Sequence, residues 1–342
     1  MKTVHFTSAL ILTFFPLIIM AQAEPVAMIK GQQLTGVTVS DSGRVFTNFP
    51  QWREGVENAV IEIDTSGNDH QPYPNKNWNR WKPGDTITND LFVAVQSVVA
   101  FKEYLYVLDT RNPFFQGVQG APTIFVFNLN TDSLVRAYEL SENSFHADSY
   151  INDLRIDPKR NKAWFTDSGH PGLVILDLDS GVSTRILDAH PSTTAETDQL
   201  TIDGKAWSNT VHSDGIALDS NKDLLYYHAL TGYTLYALPL DQLNEGSTPP
   251  EALVISLGKT PAPDGMITDR KGNLYMADLE GHKIVYRTPE GNMQTLIEGP
   301  NVKWADTFSI YNGYLYYTNS KIHMAGPDVS NMEFEIYKVP LP

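Results

Sequence analysis

The stretch "PAPDGMITDRKGNLYMADLEGHKIVYR", residues 261–287, decides the fold. Asp264 and Gly265 stand at the entrance of one apolar run, "DRKGN" turns the chain, and "LYMA" leads back to a second acid, Asp278. Two short runs rich in Ile, Tyr and Met across a Gly/Asn turn read as a β-hairpin. The pattern recurs six times: "TGVTVSDSGRVFTN", "VQSVVAFKEYLYVLD", "INDLRIDPKRNKAWFTD", "SDGIALDSNKDLLYYH", the opening stretch itself, and "ADTFSIYNGYLYYTN". The lead positions are Gly36, Gln96, Asn152, Asp214, Asp264 and Asp306, spaced 42 to 62 residues apart. The closing positions are Asn48, Asp109, Asp167, His228, Asp278 and Asn319. This period suits propeller blades of four strands.

Further strands complete each unit. "KIVYRT" and "MQTLIEG" follow the fifth hairpin, and "GLVILDLD" and "STRILDA" follow the third. The sixth unit ends at "FEIYKVP", one strand short, and "PVAMIK" near the other end of the chain is free to fill its outer place. Closure of the ring in this way removes exposed strand edges. The expectation is an all-β chain, a six-bladed β-propeller in one domain over residues 24–342.

The chain opens with one lysine, an apolar run from Ala9 to Met20, and Ala21-Gln22-Ala23 before Glu24. That is the pattern of a secretory signal spanning residues 1–23 and cleaved after Ala23. The run is short for a membrane anchor, which needs about 20 apolar residues. A periplasmic or secreted protein with no membrane association after cleavage is expected. There is no cysteine, which removes disulfides and thiolate metal sites, and the net charge of −15 argues against nucleic-acid partners.

In a propeller the first strand of each blade lines the central channel, so six lead residues meet at one mouth. The closing ring lies behind them, where Asp and Asn ordinarily cap turns. Among the lead residues, Asp214, Asp264 and Asp306 come from successive blades, and carboxylates that converge raise one another's pKa or demand a cation. A divalent ion held by Asn152, Asp214, Asp264 and Asp306 is expected, Ca²⁺ or Mg²⁺ first, with Mn²⁺ or Zn²⁺ as alternatives. Gly215 and Gly265 permit close backbone packing there. Asp214 and His228 are the expected catalytic acid–base groups, with His212 and His146 as further histidines nearby. Gln96, Asn152 and Trp304 are expected to contact a small-molecule ligand, with Phe49 and Trp52 also near the mouth. Ser168, in "TDSGH", lacks the strand-to-helix elbow of a hydrolase nucleophile.

The blocks "GVTVSDSGRVFTNFPQW", "QPYPNKNWNRW", "LYVLDTRNP" and "INDLRIDPKRNKAWFTDSG" resemble the yellow/major royal jelly protein family. The resemblance covers nearly all of residues 24–342 and implies a secreted six-bladed propeller. Members of that family are associated with dopachrome conversion, with binding of small amines or sterols, or with nutrition, so membership fixes no single reaction. "SDGIALD" and "PDGMITDRKGNLYMAD" also resemble the metal-site strands of the senescence marker protein/gluconolactonase family. That likeness implies a divalent cation and lactone hydrolysis. It places Asp264 on a metal aspartate, Asp214 on a ligand asparagine and Asn152 on a substrate-contacting asparagine. The glutamate ligand of that family's first blade falls on Gly36 or Thr35, neither of which replaces a carboxylate.

Three functions follow as expectations. The first is a metal-dependent hydrolase of a lactone or ester, its cation polarising the carbonyl and Asp214 or His228 acting as base. The second is a non-catalytic binder of small amine or aromatic ligands. The third is a dopachrome-type tautomerase, as the yellow resemblance implies.

Overall fold

The computed structural model describes residues 22–66 and 70–342. The predicted leader lies outside the described residues, apart from its last two. Six antiparallel four-stranded sheets carry almost all the regular structure. In the fifth blade they are Met266–Thr268, Leu274–Asp278, Lys283–Arg287 and Met293–Glu298. The turn of its hairpin is set by Asp269, whose Oδ1 accepts from the backbone of Lys271 at 2.8 Å and Asn273 at 2.9 Å. Gly272 supplies the positive φ of +84° that this turn needs.

The first strands of the six blades are Val37–Val39, Val95–Phe101, Ile151–Asp157, Ser213–Asp219, Met266–Thr268 and Ala305–Tyr311. Each touches the first strand of the next blade, and the sixth touches the first, so the ring is closed. Closure runs through the expected strand. Glu24–Lys30 pairs antiparallel with Glu333–Pro340 as the outer strand of the sixth blade, from Glu24 opposite Lys338 to Lys30 opposite Glu333. The architecture is a six-bladed β-propeller.

Blades pack face to face, which explains why the inner strands read as unbroken apolar runs rather than alternating ones. In "KAWFTD", Lys162–Asp167, every residue after Lys162 is buried. Between blades two and three, Leu108, Ile124 and Val126 meet Leu154, Ala163 and Phe165. Between blades five and six, Tyr275 and Ile284 meet Trp304, Phe308 and Tyr317. Gly265 is required by this packing, because a β-carbon there would lie 2.7 Å from the Asp306 carbonyl of the next blade.

One piece lies outside the six sheets. Gln199–Ile202 and Lys205–Ser208 form a separate hairpin between blades three and four. Among the described residues no helix is long and apolar enough to cross a membrane.

Candidate functional site at the channel mouth

A recurring irregularity positions the lead residues. Pairing of the first two strands slips between Val95 and Ser97, Ile151 and Leu154, Ser213 and Ile216, and Ala305 and Phe308. Gln96, Asn152, Asp214 and Asp306 fall inside those slips. A bulge re-aims a side chain, and here the same device turns one residue per blade toward the axis. Asp264 arrives differently, two residues ahead of its strand.

These five residues form the floor of a cavity of ≈ 410 Å³, walled by Trp52, Phe115, Tyr150, Trp207 and Trp304. Beneath them lies a second, small cavity of ≈ 10 Å³, bordered also by Ser97, Asp153 and Thr307. The sixth lead position contributes nothing. A β-carbon on Gly36 would lie 2.0 Å from Asn48 Oδ1, and the Asn48 amide donates to Thr35 Oγ1 at 2.9 Å and to the Gln96 carbonyl at 3.0 Å. Blade one is therefore sealed behind the ring.

A directed hydrogen-bond chain crosses the floor. The Trp52 indole donates to Tyr150 Oη at 2.6 Å, and that hydroxyl donates to Gln96 Oε1 at 2.7 Å. Gln96 Nε2 donates to Asn152 Oδ1 at 3.0 Å, and Asn152 Nδ2 donates to Asp214 Oδ2 at 2.6 Å and to Ser168 Oγ at 3.0 Å. An indole N–H can only donate, so Tyr150 Oη is the acceptor at that end of the chain. The other two carboxyls have their own donors. Trp304 Nε1 donates to Asp264 Oδ2 at 2.6 Å, and Ser320 Oγ donates to Asp306 Oδ2 at 3.0 Å.

All three aspartates are buried, with 4%, 7% and 7% of Asp214, Asp264 and Asp306 exposed. Desolvation pushes each carboxyl upward. Asp264 rises to about 8 despite the Trp304 hydrogen bond, while Asp214 and Asp306 rise well above the usual range with added repulsion from Asp264. No Lys, Arg or His belongs to the described lining of the cavity. Asp153, which borders the small cavity below the floor, is paired with Arg155 at 2.9 Å.

The metal set expected from the sequence differs from this arrangement in two ways. Asn152, expected as an oxygen ligand, turns its amide nitrogen toward Asp214, and its oxygen is taken by Gln96. The place of a first-blade ligand is filled by Asn48. As built, Asp214, Asp264 and Asp306 do not bring one carboxyl oxygen each within 4.8 Å of one another.

His228 lies behind the ring. It is fully buried, with Nδ1 2.6 Å from the Ala229 carbonyl and Nε2 3.0 Å from Thr260 Oγ1. Burial lowers it to about 4. It is a fully engaged imidazole outside the cavity lining, so the structure does not bring it to the mouth beside Asp214. His212 is likewise held, accepting the Ala195 N–H at 3.1 Å on Nδ1. Phe49 packs in the core with Val37 and Phe334 and does not reach the cavity. Trp52, Trp304 and Gln96 do.

The remaining closing residues cap turns. Asp109 accepts from the backbone of Val93 and Ala94 at 2.7 and 2.9 Å, Asp167 from Tyr150 at 2.9 Å, and Asn319 from Lys303 and Trp304 at 2.9 and 3.0 Å.

Several wall residues escaped the sequence reading. Tyr150 and Phe115 sit on loops with no periodic signal. Trp207 arrives on the extra hairpin, whose "TIDGKA" carries an Asp-Gly turn that could have disclosed it. Its ring meets Trp304 at 4.9 Å and 65°. The hairpin tip is tied down by Asp203, 2.7 Å from His282 Nε2 and 3.5 Å from Lys303 Nζ.

A cluster able to coordinate a metal ion lies elsewhere, on the rim of blade three. His146, His170 and Asp188 bring their ligand atoms within 4.8 Å of one another; among the described residues no other His, Cys, Asp or Glu trio does so.

The pattern of the major royal jelly protein family matches residues 94–341. The chain belongs to that family. It is 27% identical over 154 residues to Protein yellow of Drosophila melanogaster, covering 42% of this chain and 28% of that protein. The match to Major royal jelly protein 6 of Apis mellifera is 23% over 180 residues, covering 50% of this chain and 40% of that one. The chain thus spans well under half the length of these relatives. Among solved structures, a luciferin-regenerating enzyme superposes with a TM-score of 0.59 at 14% identity, covering 94% of this chain and 95% of that one. This likeness is one of fold.

Proposed function

We propose that the mouth binds a small organic cation, an ammonium group carried on an aromatic body. One observation carries this reading: three buried carboxyls from successive blades share a floor with no basic side chain in the lining, under walls of tryptophan, tyrosine and phenylalanine. An ammonium placed there restores charge to the acids and its aromatic body packs against the walls. The volume lies within the usual range for small-molecule pockets, roughly 300–1,000 Å³. Amine binding is also among the properties that the family resemblance implies.

The elevated acids favour a second reading. A carboxyl near 8 can hold or release a proton at neutral pH, which is what tautomerisation of a bound catechol-derived compound needs. In that reaction Asp264 and Asp214 would move protons on the ligand, and no nucleophile is required. Metal-dependent lactone hydrolysis draws support from the fold shared with such enzymes. The filled place beside Gly36 weighs against it.

The test is calorimetric titration of the full chain with 2-phenylethylamine and, separately, with 2-phenylethanol, before and after treatment with a chelator. Saturable binding of the amine, absence of binding by the alcohol, and indifference to chelator are expected. Equal binding of both, or binding abolished by chelator, would remove the cation reading.

A further inference from the structure

The geometry points to a transition-metal site on the rim of blade three, separate from the channel mouth, with His146 Nε2, His170 Nε2 and the Asp188 carboxylate as ligands to a zinc-type divalent ion. Each ligand comes from a different loop. His146 precedes the first strand of the blade, His170 lies in the turn between Lys162–Asp167 and Gly172–Asp177, and Asp188 follows Ser183–Ile186.

His146 Nε2 is 3.0 Å and His170 Nε2 is 3.7 Å from the same oxygen, Asp188 Oδ1, and the two imidazole centroids are 3.8 Å apart. Tetrahedral zinc with bonds near 2.1 Å holds its ligand atoms about 3.4 Å apart, between the two nitrogen–oxygen distances. The second imidazole nitrogen of His170 supplies an independent indication. Nδ1 lies 3.2 Å from Asp148 Oδ1, so in a metal-bound ring this nitrogen would donate to that carboxylate and leave Nε2 to the ion. A metal-ligating histidine whose other nitrogen donates to a carboxylate is the usual support for such a ligand.

The charges agree. Arg185 contacts Asp188 through Nε, Asp167 through Nη1 at 2.9 Å and the His170 carbonyl through Nη2 at 2.8 Å. Its single charge is matched by buried Asp167, leaving Asp148 and Asp188 as the two negative charges that a divalent ion balances. Two imidazoles and one carboxylate select zinc, nickel, cobalt or copper over calcium and magnesium. His146, His170 and Asp188 are 39%, 27% and 48% exposed, so an ion can enter and keep a water in its open position.

Zinc chloride titrated into chelator-stripped full-length protein at pH 7.5 tests the proposal. One equivalent should bind, and cobalt should give the visible spectrum of a nitrogen- and oxygen-ligated tetrahedral ion. His146→Ala and His170→Ala should each weaken zinc more than about 100-fold, and Asp148→Asn by about 10–100-fold. Asp264→Asn should leave zinc affinity unchanged. Unaltered melting of the metal-free variants, with zinc raising only the parent's melting temperature, would show that the fold is intact and the ligands lost. No saturable zinc binding by the parent, or equal binding by the His146→Ala/His170→Ala double variant, overturns the site. Loss of zinc in Asp264→Asn would move it to the mouth and overturn it equally.

Discussion

Trp304 on blade six donates its indole N–H to Asp264 of blade five at 2.6 Å, so one side chain is at once a wall of the cavity and the hydrogen-bond partner of its floor. The bond favours the ionised carboxyl, against a burial that favours the protonated one. Trp304→Phe keeps the wall and removes the donor. Amine affinity in the parent should rise with pH through about 8 as Asp264 ionises. In Trp304→Phe the midpoint should move to higher pH, with affinity at neutral pH down several-fold. Titrations with 2-phenylethylamine from pH 6 to 9 measure both effects.

Asp264 also links stability to pH. Its folded pKa of about 8 lies above its unfolded value near 3.8, so between those values the folded state binds more protons than the unfolded one. Its contribution is fully present below about pH 4 and is lost as pH rises through about 8. Asp264→Asn keeps an oxygen to accept from Trp304 but cannot ionise. The melting temperature of the ligand-free variant should exceed the parent's at pH 8 and approach it at pH 5. Scanning calorimetry at the two pH values decides; a constant difference would show that Asp264 is not the titrating group.

His228 acts in the opposite direction. Its folded pKa of about 4 lies below the usual 6.5, so its contribution is present above about 6.5 and lost as pH falls through 4. The full difference corresponds to about 3 kcal/mol. His228→Gln should lower stability at neutral pH yet flatten its decline between pH 6.5 and 4. An unchanged slope in chemical denaturation across that range would contradict the assignment.

The outer strand of blade six offers a test of closure. Removing residues 24–30 exposes the edge of Glu333–Pro340 and uncovers Phe334 and Ile336, which pack with Ile29. The melting temperature of the whole propeller should fall, because the blades share faces around a closed ring. A truncation that melts with the parent would mean that the ring does not depend on this strand.

What the sequence disclosed divides along physical lines. The hairpin repeat was legible because turn and strand signals act over a few residues, as at Asp269 and Gly272. Five of the six lead residues reach the mouth for the same reason: one position per repeat is enough to mark them. Periodicity says where a residue falls along a strand, however, and not which way it faces. His228 shares its register with Asp109 and Asp167 yet turns to Ala229 and Thr260. The Trp52–Tyr150 bond joins residues separated by 98 positions, and the rim cluster gathers three loops. No local pattern encodes either. Which atom of the Asn152 amide faces Asp214 is set by the network around it, from residues that no local pattern brings together.

The strand Glu24–Lys30 has a consequence for how the chain reaches its final form. Synthesised amino end first, the propeller presents this strand before its other strands, and its partner, Glu333–Pro340, after them. Five blades can assemble as they arrive, while the sixth waits for these two strands to meet. The longest loop in the molecule is therefore closed last, and contacts this remote in sequence are slow to form. Until then the waiting edge is open to other chains, so yield should depend on how well the incomplete ring is shielded.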